Sequence, residues 1–201
     1  MIQYQDVYQF KISLGGIKPV IWRRIQVPGS YSFWDLHIAI QDAMGWLNCH
    51  LHEFNILNPE TGDTDRIGIP DEEWDFDDTK LLAGWKTQIS SYFSAEMKKA
   101  RYTYDFGDDW EHTVILEKII AKEPGLAYPQ CLDGAHACPP EDCGGVLGYY
   151  HLMEVMGNPK DKEYASMVEW YGRVYKPEIF NPKIVFSNPA KSLEMLLAEQ
   201  D

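Results

Sequence analysis

The chain has 201 residues, 45% hydrophobic and 24% charged, enough for one globular domain with a sizeable core and too few for two full domains. Thirty-one acidic against eighteen basic side chains leave a formal charge of −13, which repels nucleic-acid phosphates and anionic membrane surfaces. The N-terminus lacks a signal-peptide pattern and no long apolar run follows, so a cytoplasmic protein without a membrane span is expected.

Residues 4–14 and 20–27 have the β-branched and aromatic content of two strands, and "GGIKP" between them supplies turn chemistry, so an N-terminal hairpin is predicted. Ser32 followed three residues later by Asp35 is a helix-capping pattern, and Phe33, Leu36, Ile40, Ala43, Met44 and Leu47 recur at helical spacing. "HLHEFNIL" reads as a third strand, which would project His50 and His52 to one side of a sheet. From Asn58 to about Thr87 the chain is rich in Asp, Gly and Pro, with "DEEWDFDD" strongly acidic, and reads as loop with one short helix near Thr79 to Gly84.

"RYTYDFGDDWEHTVILEKII" alternates apolar and polar residues on both sides of a turn, the mark of a second hairpin. An odd turn at Gly107 to Asp109 pairs Phe106 with Trp110 and Tyr104 with His112, placing His112 on a largely apolar face. The last third reads as helices: Leu147 to Met156, one capped by Asn158 and closed by Gly172, and one starting at Asn188 and Pro189. The expected class is α+β, a mainly antiparallel sheet with helices packed on it and a helical C-terminal third, in a single domain over 1–201.

Two constellations could carry chemistry. "CLDGAHACPPEDCGG" holds three of the four cysteines, and zinc could be bound by Cys131, Cys138, Cys143 and His136, with His112, His52 or Cys49 as an alternative fourth ligand. A rigid loop of reduced thiols accounts for the same residues, and a disulfide staple does not suit a reducing cytosol. The second constellation is His50, His52, Asp105, Asp108 and His112, a hard-ligand set for a hydrolytic metal; against it, "FGDD" is also an ordinary acidic turn and His112 a core histidine. The short basic clusters, Arg23 with Arg24, and Lys98 and Lys99 with Arg101, read as solvated faces. No phosphate-cradling glycine loop and no GxSxG elbow is present.

Four stretches in order, "YQFKISLGGIKPVIWRRIQVPGSYSFWDLHIAIQDAMGW", "HLHEF", "YTYDFGDDWEHTVILEKI" and "YPQCLDGAHACPPEDCGGVLGYYHLMEVM", resemble the plasmid pRiA4b ORF-3-like family over roughly residues 4–180. The resemblance implies a compact α+β domain. Some members of that family carry a transposon-resolvase label and some a fused repressor-type DNA-binding domain. A serine recombinase needs a nucleophilic serine among arginines and a basic extension, which this acidic chain lacks. Matching positions include His50, His52, Asp105, Asp108, His112, Cys131, Cys138, Glu141, Asp142 and Cys143, none with an assigned role. The functional expectation is a non-catalytic interaction or regulatory module with a protein partner and no direct nucleic-acid binding. The alternatives are a metal-dependent hydrolase and a DNA-associated protein of mobile elements.

Overall fold

The computed structural model describes residues 6–70 and 81–199. The N-terminal hairpin forms from β1 (Asp6–Leu14) and β2 (Trp22–Pro28), with Tyr8 opposite Val27 and Ile12 opposite Arg23. Six further strands join it: β3 (His52–Leu57), β4 (Thr64–Gly68), β5 (Leu81–Ala83), β6 (Lys99–Tyr104), β7 (Trp110–Ala121) and β8 (Gln130–Ala135). Their order across one continuous sheet is β5-β4-β3-β6-β7-β1-β2-β8. Every neighbouring pair is antiparallel except β4 with β5.

Period-two alternation sends Phe10, Ile12, Phe54, Tyr102, His112 and Val114 into one core, all at most 1% exposed. Onto that face packs α1 (Phe33–Met44), whose Ser32 hydroxyl accepts from Asp35 N while the Asp35 carboxylate accepts from Ser32 N, a closed capping box. Gly45, at φ 90°, ends the helix in the left-handed region. Ten of the twelve α1 residues are buried, more than one stripe of an amphipathic helix. The reason is α4 (Pro189–Glu199), which covers the outer side: Trp34 Nε1 donates to Pro189 O at 3.0 Å, and Asp42 accepts from Ser187 N and Oγ. Burying an α1 side chain such as Leu36 or Ile40 stabilises by about 2 kcal/mol.

The structure corrects several expectations. The sheet is mixed, and the C-terminal third is not mostly helical: α2 (Gly145–Met156), α3 (Tyr164–Tyr171) and α4 are separated by loops, and residues 172–188 form neither helix nor strand. That segment satisfies its backbone locally and through contacts such as Ala137 N to Pro177 O. The third helix of the chain starts at Tyr164, not Pro159. The stretch read as loop after Asn58 contains β4, held by pairing with β3. The acidic "DEEWDFDD" lies outside the described residues, and so do the first two residues of the short helix expected at 79–84, whose remainder is instead strand β5, paired with β4, followed by a 3-10 turn at Gly84–Lys86. The second hairpin has the predicted parity, but its register is shifted by two residues. Tyr104 faces Trp110, Tyr102 faces His112, and Phe106 sits exposed in the turn. Leu47 lies past the end of α1 and is 76% exposed.

Candidate metal centre

The third strand begins at His52, so His50 is not on it; His50 stands in the loop between α1 and β3 and the two imidazoles part company. This loop is held from outside. Leu47 N donates to Glu141 Oε1 at 2.7 Å, Asn48 N to Gln41 Oε1 at 3.2 Å and Cys49 N to the Tyr104 hydroxyl at 3.0 Å. Asp105 follows β6 in the left-handed region at φ 57°, its N donating to Leu51 O at 2.9 Å. Its Oδ1 accepts from Gly107 N and Asp108 N, which leaves Oδ2 to face His50 at 3.6 Å. Asp142, also left-handed at φ 55°, follows the diproline and approaches His50 to 3.0 Å.

His50, Asp105 and Asp142 each offer a ligand atom, and these atoms lie within 4.8 Å of one another. Glu141 adds a carboxylate 3.9 Å from His50 Nε2 while accepting from the Tyr104 hydroxyl at 3.1 Å. Nε2 is sealed from water yet has no hydrogen-bond partner, because Asp142 Oδ1, though close, lies off the ring's bonding direction. One imidazole and two carboxylates suit a divalent ion of intermediate hardness such as Mn²⁺ or Zn²⁺, and three protein ligands leave positions for water. The Asp142 side chain is 70% exposed, so the centre faces solvent on that side.

The other residues singled out in the sequence are placed elsewhere. Asp108 accepts from Gly144 N at 3.1 Å and so ties the 105–109 turn to the start of α2. Gly145 allows that approach: a Cβ there would come within 2.5 Å of Asp108 O, and its φ is 65°. His52 is buried and stacked on His37, with centroids 3.5 Å apart, and neither of its ring nitrogens has a partner. His112 is 1% exposed, its Nδ1 3.3 Å from Tyr102 O and its ring edge-on to Trp46. His37, which the sequence did not single out, is wholly buried and bonded to the Tyr102 hydroxyl at 2.8 Å and Asn48 Oδ1 at 2.6 Å. Burial holds His37 down to about 3 and His112 to about 4, so both rings are neutral. The Asn48 oxygen can only accept, so His37 Nε2 carries the proton and Nδ1 accepts from Tyr102.

Cys131 lies on the edge strand β8, Cys138 and Cys143 flank the diproline turn, and His136 precedes it at φ 66°. Among the described residues, no three of these four offer ligand atoms within 4.8 Å of one another, and all four cysteines of the chain are free. Burial raises the Cys138 thiol far above its ordinary range and that of Cys143 to about 12. Asp142, and Glu141 beside it, were not among the candidate site residues read from the sequence. The signal available was their position between a diproline and a diglycine, where a short turn presents consecutive carboxylates.

The family described as plasmid pRiA4b ORF-3-like protein matches residues 6–184. The chain belongs to this family. An uncharacterised protein of Sinorhizobium fredii, y4hQ, is 36% identical over 167 residues, covering 83% of this chain and 81% of its own length. The crystal structure of MM3350 from Methanosarcina mazei, a protein of unknown function, superposes with a TM-score of 0.84 at 46% identity. It covers 92% of this chain and the whole of its own. The MM3350 structure shares the fold of this pRiA4b ORF-3-like chain, and neither relative's description carries an activity. Among the described residues of this member, no helix is long and apolar enough to cross a membrane.

Proposed function

We propose that this chain is a non-catalytic, cation-dependent interaction module, in which a divalent ion held by His50, Asp105 and Asp142 orders a partner-binding rim. The observation that carries the reading is the His50 Nε2 atom, closed to water, without a hydrogen bond, and within ligand distance of two carboxylates from different loops. Three carboxylates this close repel one another, and a bound cation relieves that repulsion. The same loops display large apolar side chains in water: Leu47 at 76%, Leu51 at 50% and Phe106 at 56% exposure. Exposed apolar residues grouped in this way mark interaction surfaces rather than ordinary solvent-facing loops.

Calorimetric titration of chelator-treated protein with MnCl₂ and ZnCl₂ tests the reading. One ion per chain should bind, and Asp142→Asn or His50→Gln should weaken it at least about tenfold, a loss of about 1.4 kcal/mol. Both positions are partly exposed, so the variants should keep the unloaded protein's melting temperature. Absence of saturable binding by either ion removes the proposal. Turnover of an activated phosphodiester by the loaded protein above the free-ion rate transfers the site to the hydrolase reading.

A further inference from the structure

Arg23, which the sequence suggested was solvated, is only 2% exposed. Its Nε donates to Ala43 O at 2.8 Å, in the last turn of α1, and its Nη1 to Trp22 O at 2.8 Å and Ala135 O at 3.0 Å. Phe180 covers one face of the guanidinium, 4.2 Å from ring centroid to Cζ. Among the described residues, Nη2 has no hydrogen-bond partner and no carboxylate pairs with the side chain. The acidic groups that bear on it are the Cys131 and Cys138 thiols and the Tyr175 phenol, all pushed upward by burial and therefore neutral.

An arginine stays charged at every accessible pH, and a buried charge without a counter-charge costs several kcal/mol. The carbonyl end of α1 supplies about half an elementary charge of the opposite sign, which compensates in part. What remains faces a cleft of about 690 Å³ between the end of α1, the 137–142 loop and the 170–184 segment. Arg173 and Trp170 stand on its rim, with Phe180 and Ile184 on its apolar wall. Glu141 and Asp142 belong to the same cleft, so an anion has a favourable position only at the Arg23 end.

We propose that this cleft binds a small organic anion, its carboxylate or phosphate bonded to the free Nη2 of Arg23 and its apolar portion lying against Trp170 and Ile184. Nε and Nη1 are already engaged by carbonyls, so the contact is made by one nitrogen rather than by the full fork. Such a contact, with modest apolar burial, suits dissociation constants of about 1 mM or below. The site uses neither His50 nor Asp105, but Asp142 lines the cleft as well as the cation site, so the anion is tested with cations chelated.

The test is titration with benzoate and with phenyl phosphate in EDTA, followed by calorimetry and tryptophan fluorescence. Saturable binding of one probe per chain below about 1 mM is expected. The better of the two identifies the head group as carboxylate or phosphate. Arg23→Lys should weaken binding at least about tenfold, but it also loosens the α1 cap and could unfold the chain. Ile184→Trp fills the cleft without touching Arg23 and should abolish binding while the melting temperature of the unliganded protein holds. No saturation by either probe up to about 10 mM, or unchanged affinity in Ile184→Trp, overturns the proposal and leaves Arg23 as a structural cap of α1.

Discussion

Acid should unfold this protein well above the pH at which its carboxylates titrate. His37 and His112 are wholly buried and neutral, held by desolvation at about 3 and about 4. In the unfolded chain each returns to about 6.5. A base depressed in the folded state adds no penalty above pH 6.5, where it is neutral in both states; below that the unfolded chain takes up protons that the native state refuses. At pH 5 each ring favours unfolding by about 2 kcal/mol, so the pair removes about 4 kcal/mol relative to pH 8. The groups facing His37 are the Tyr102 and Tyr104 phenols, Asn48, Trp34 and the His52 ring; those facing His112 are Trp46 and Tyr102. None is an anion that could stabilise an imidazolium, and the stacked His52, depressed in the same direction, adds to the loss. Relief of acid–acid repulsion works the other way in a chain of formal charge −13, so the measured loss is a lower bound on the histidine contribution. Urea unfolding at pH 8, 6.5 and 5 in EDTA should show stability falling by a large fraction of a typical 5–15 kcal/mol, roughly. His112→Phe should flatten the slope whatever it does to absolute stability. A stability constant from pH 8 to pH 5, or one lost only below about pH 4, would refute the reasoning.

Gly145→Ala places a Cβ against Asp108 O in a left-handed backbone and should cost about 1–3 kcal/mol in urea unfolding; a neutral result would mean the 105–109 turn yields freely. Ser32→Ala opens the capping box of α1 and should cost about 1 kcal/mol, read from the urea midpoint at unchanged slope. Of the four thiols, Cys49 is exposed and should react first with a disulfide reagent, while Cys138, partly buried and with its thiol pushed upward, should react more slowly; equal rates for the two would contradict this. Fluorescence anisotropy with a short DNA duplex at physiological salt should give no affinity tighter than about 10 µM, and salt-sensitive nanomolar binding would show that local charge overrides the net.

The elements that were legible are those whose signals are local. The Ser32 and Asp35 cap, the GGIKP turn and the Asn188–Pro189 helix start need only neighbouring residues to act, and each is found where the sequence puts it. β4 was hidden because only Ile67 and Gly68 of its five residues are buried, so its composition is that of a loop and its pairing with β3 makes it a strand. The register of β6 and β7 was two residues off because Asp105 and Asp109 adopt left-handed backbone at φ 57° and 53°, a role usually signalled by glycine. Those two aspartates lengthen the turn and push Phe106 into solvent. The helical C-terminal third was over-read, because nothing in residues 172–188 announces that their partners are α1, Ala137 and the Arg23 side chain.

The site divides along the same line. Tyr104 ends β6 and pairs with both His52, the first residue of β3, and Trp110, the first of β7. Any chain with these two pairings must bring the loop before β3 against the turn between β6 and β7, so the meeting of His50 with Asp105 follows from sheet order. Asp142 comes from 37 positions beyond Asp105, and no local pattern predicts its arrival. Trp46 Nε1 bonded to Pro139 O at 3.0 Å and Gly144 N bonded to Asp108 carry it there. Arg23 shows the converse: its position on β2 was plain, but its burial depends on β8 flanking that strand and on Phe180 folding over the guanidinium. An ionisable side chain is thus readable when its own strand sets its surroundings. It is misread when a distant segment closes over it, and the surroundings of both His50 and Arg23 are completed by the same 135–145 stretch.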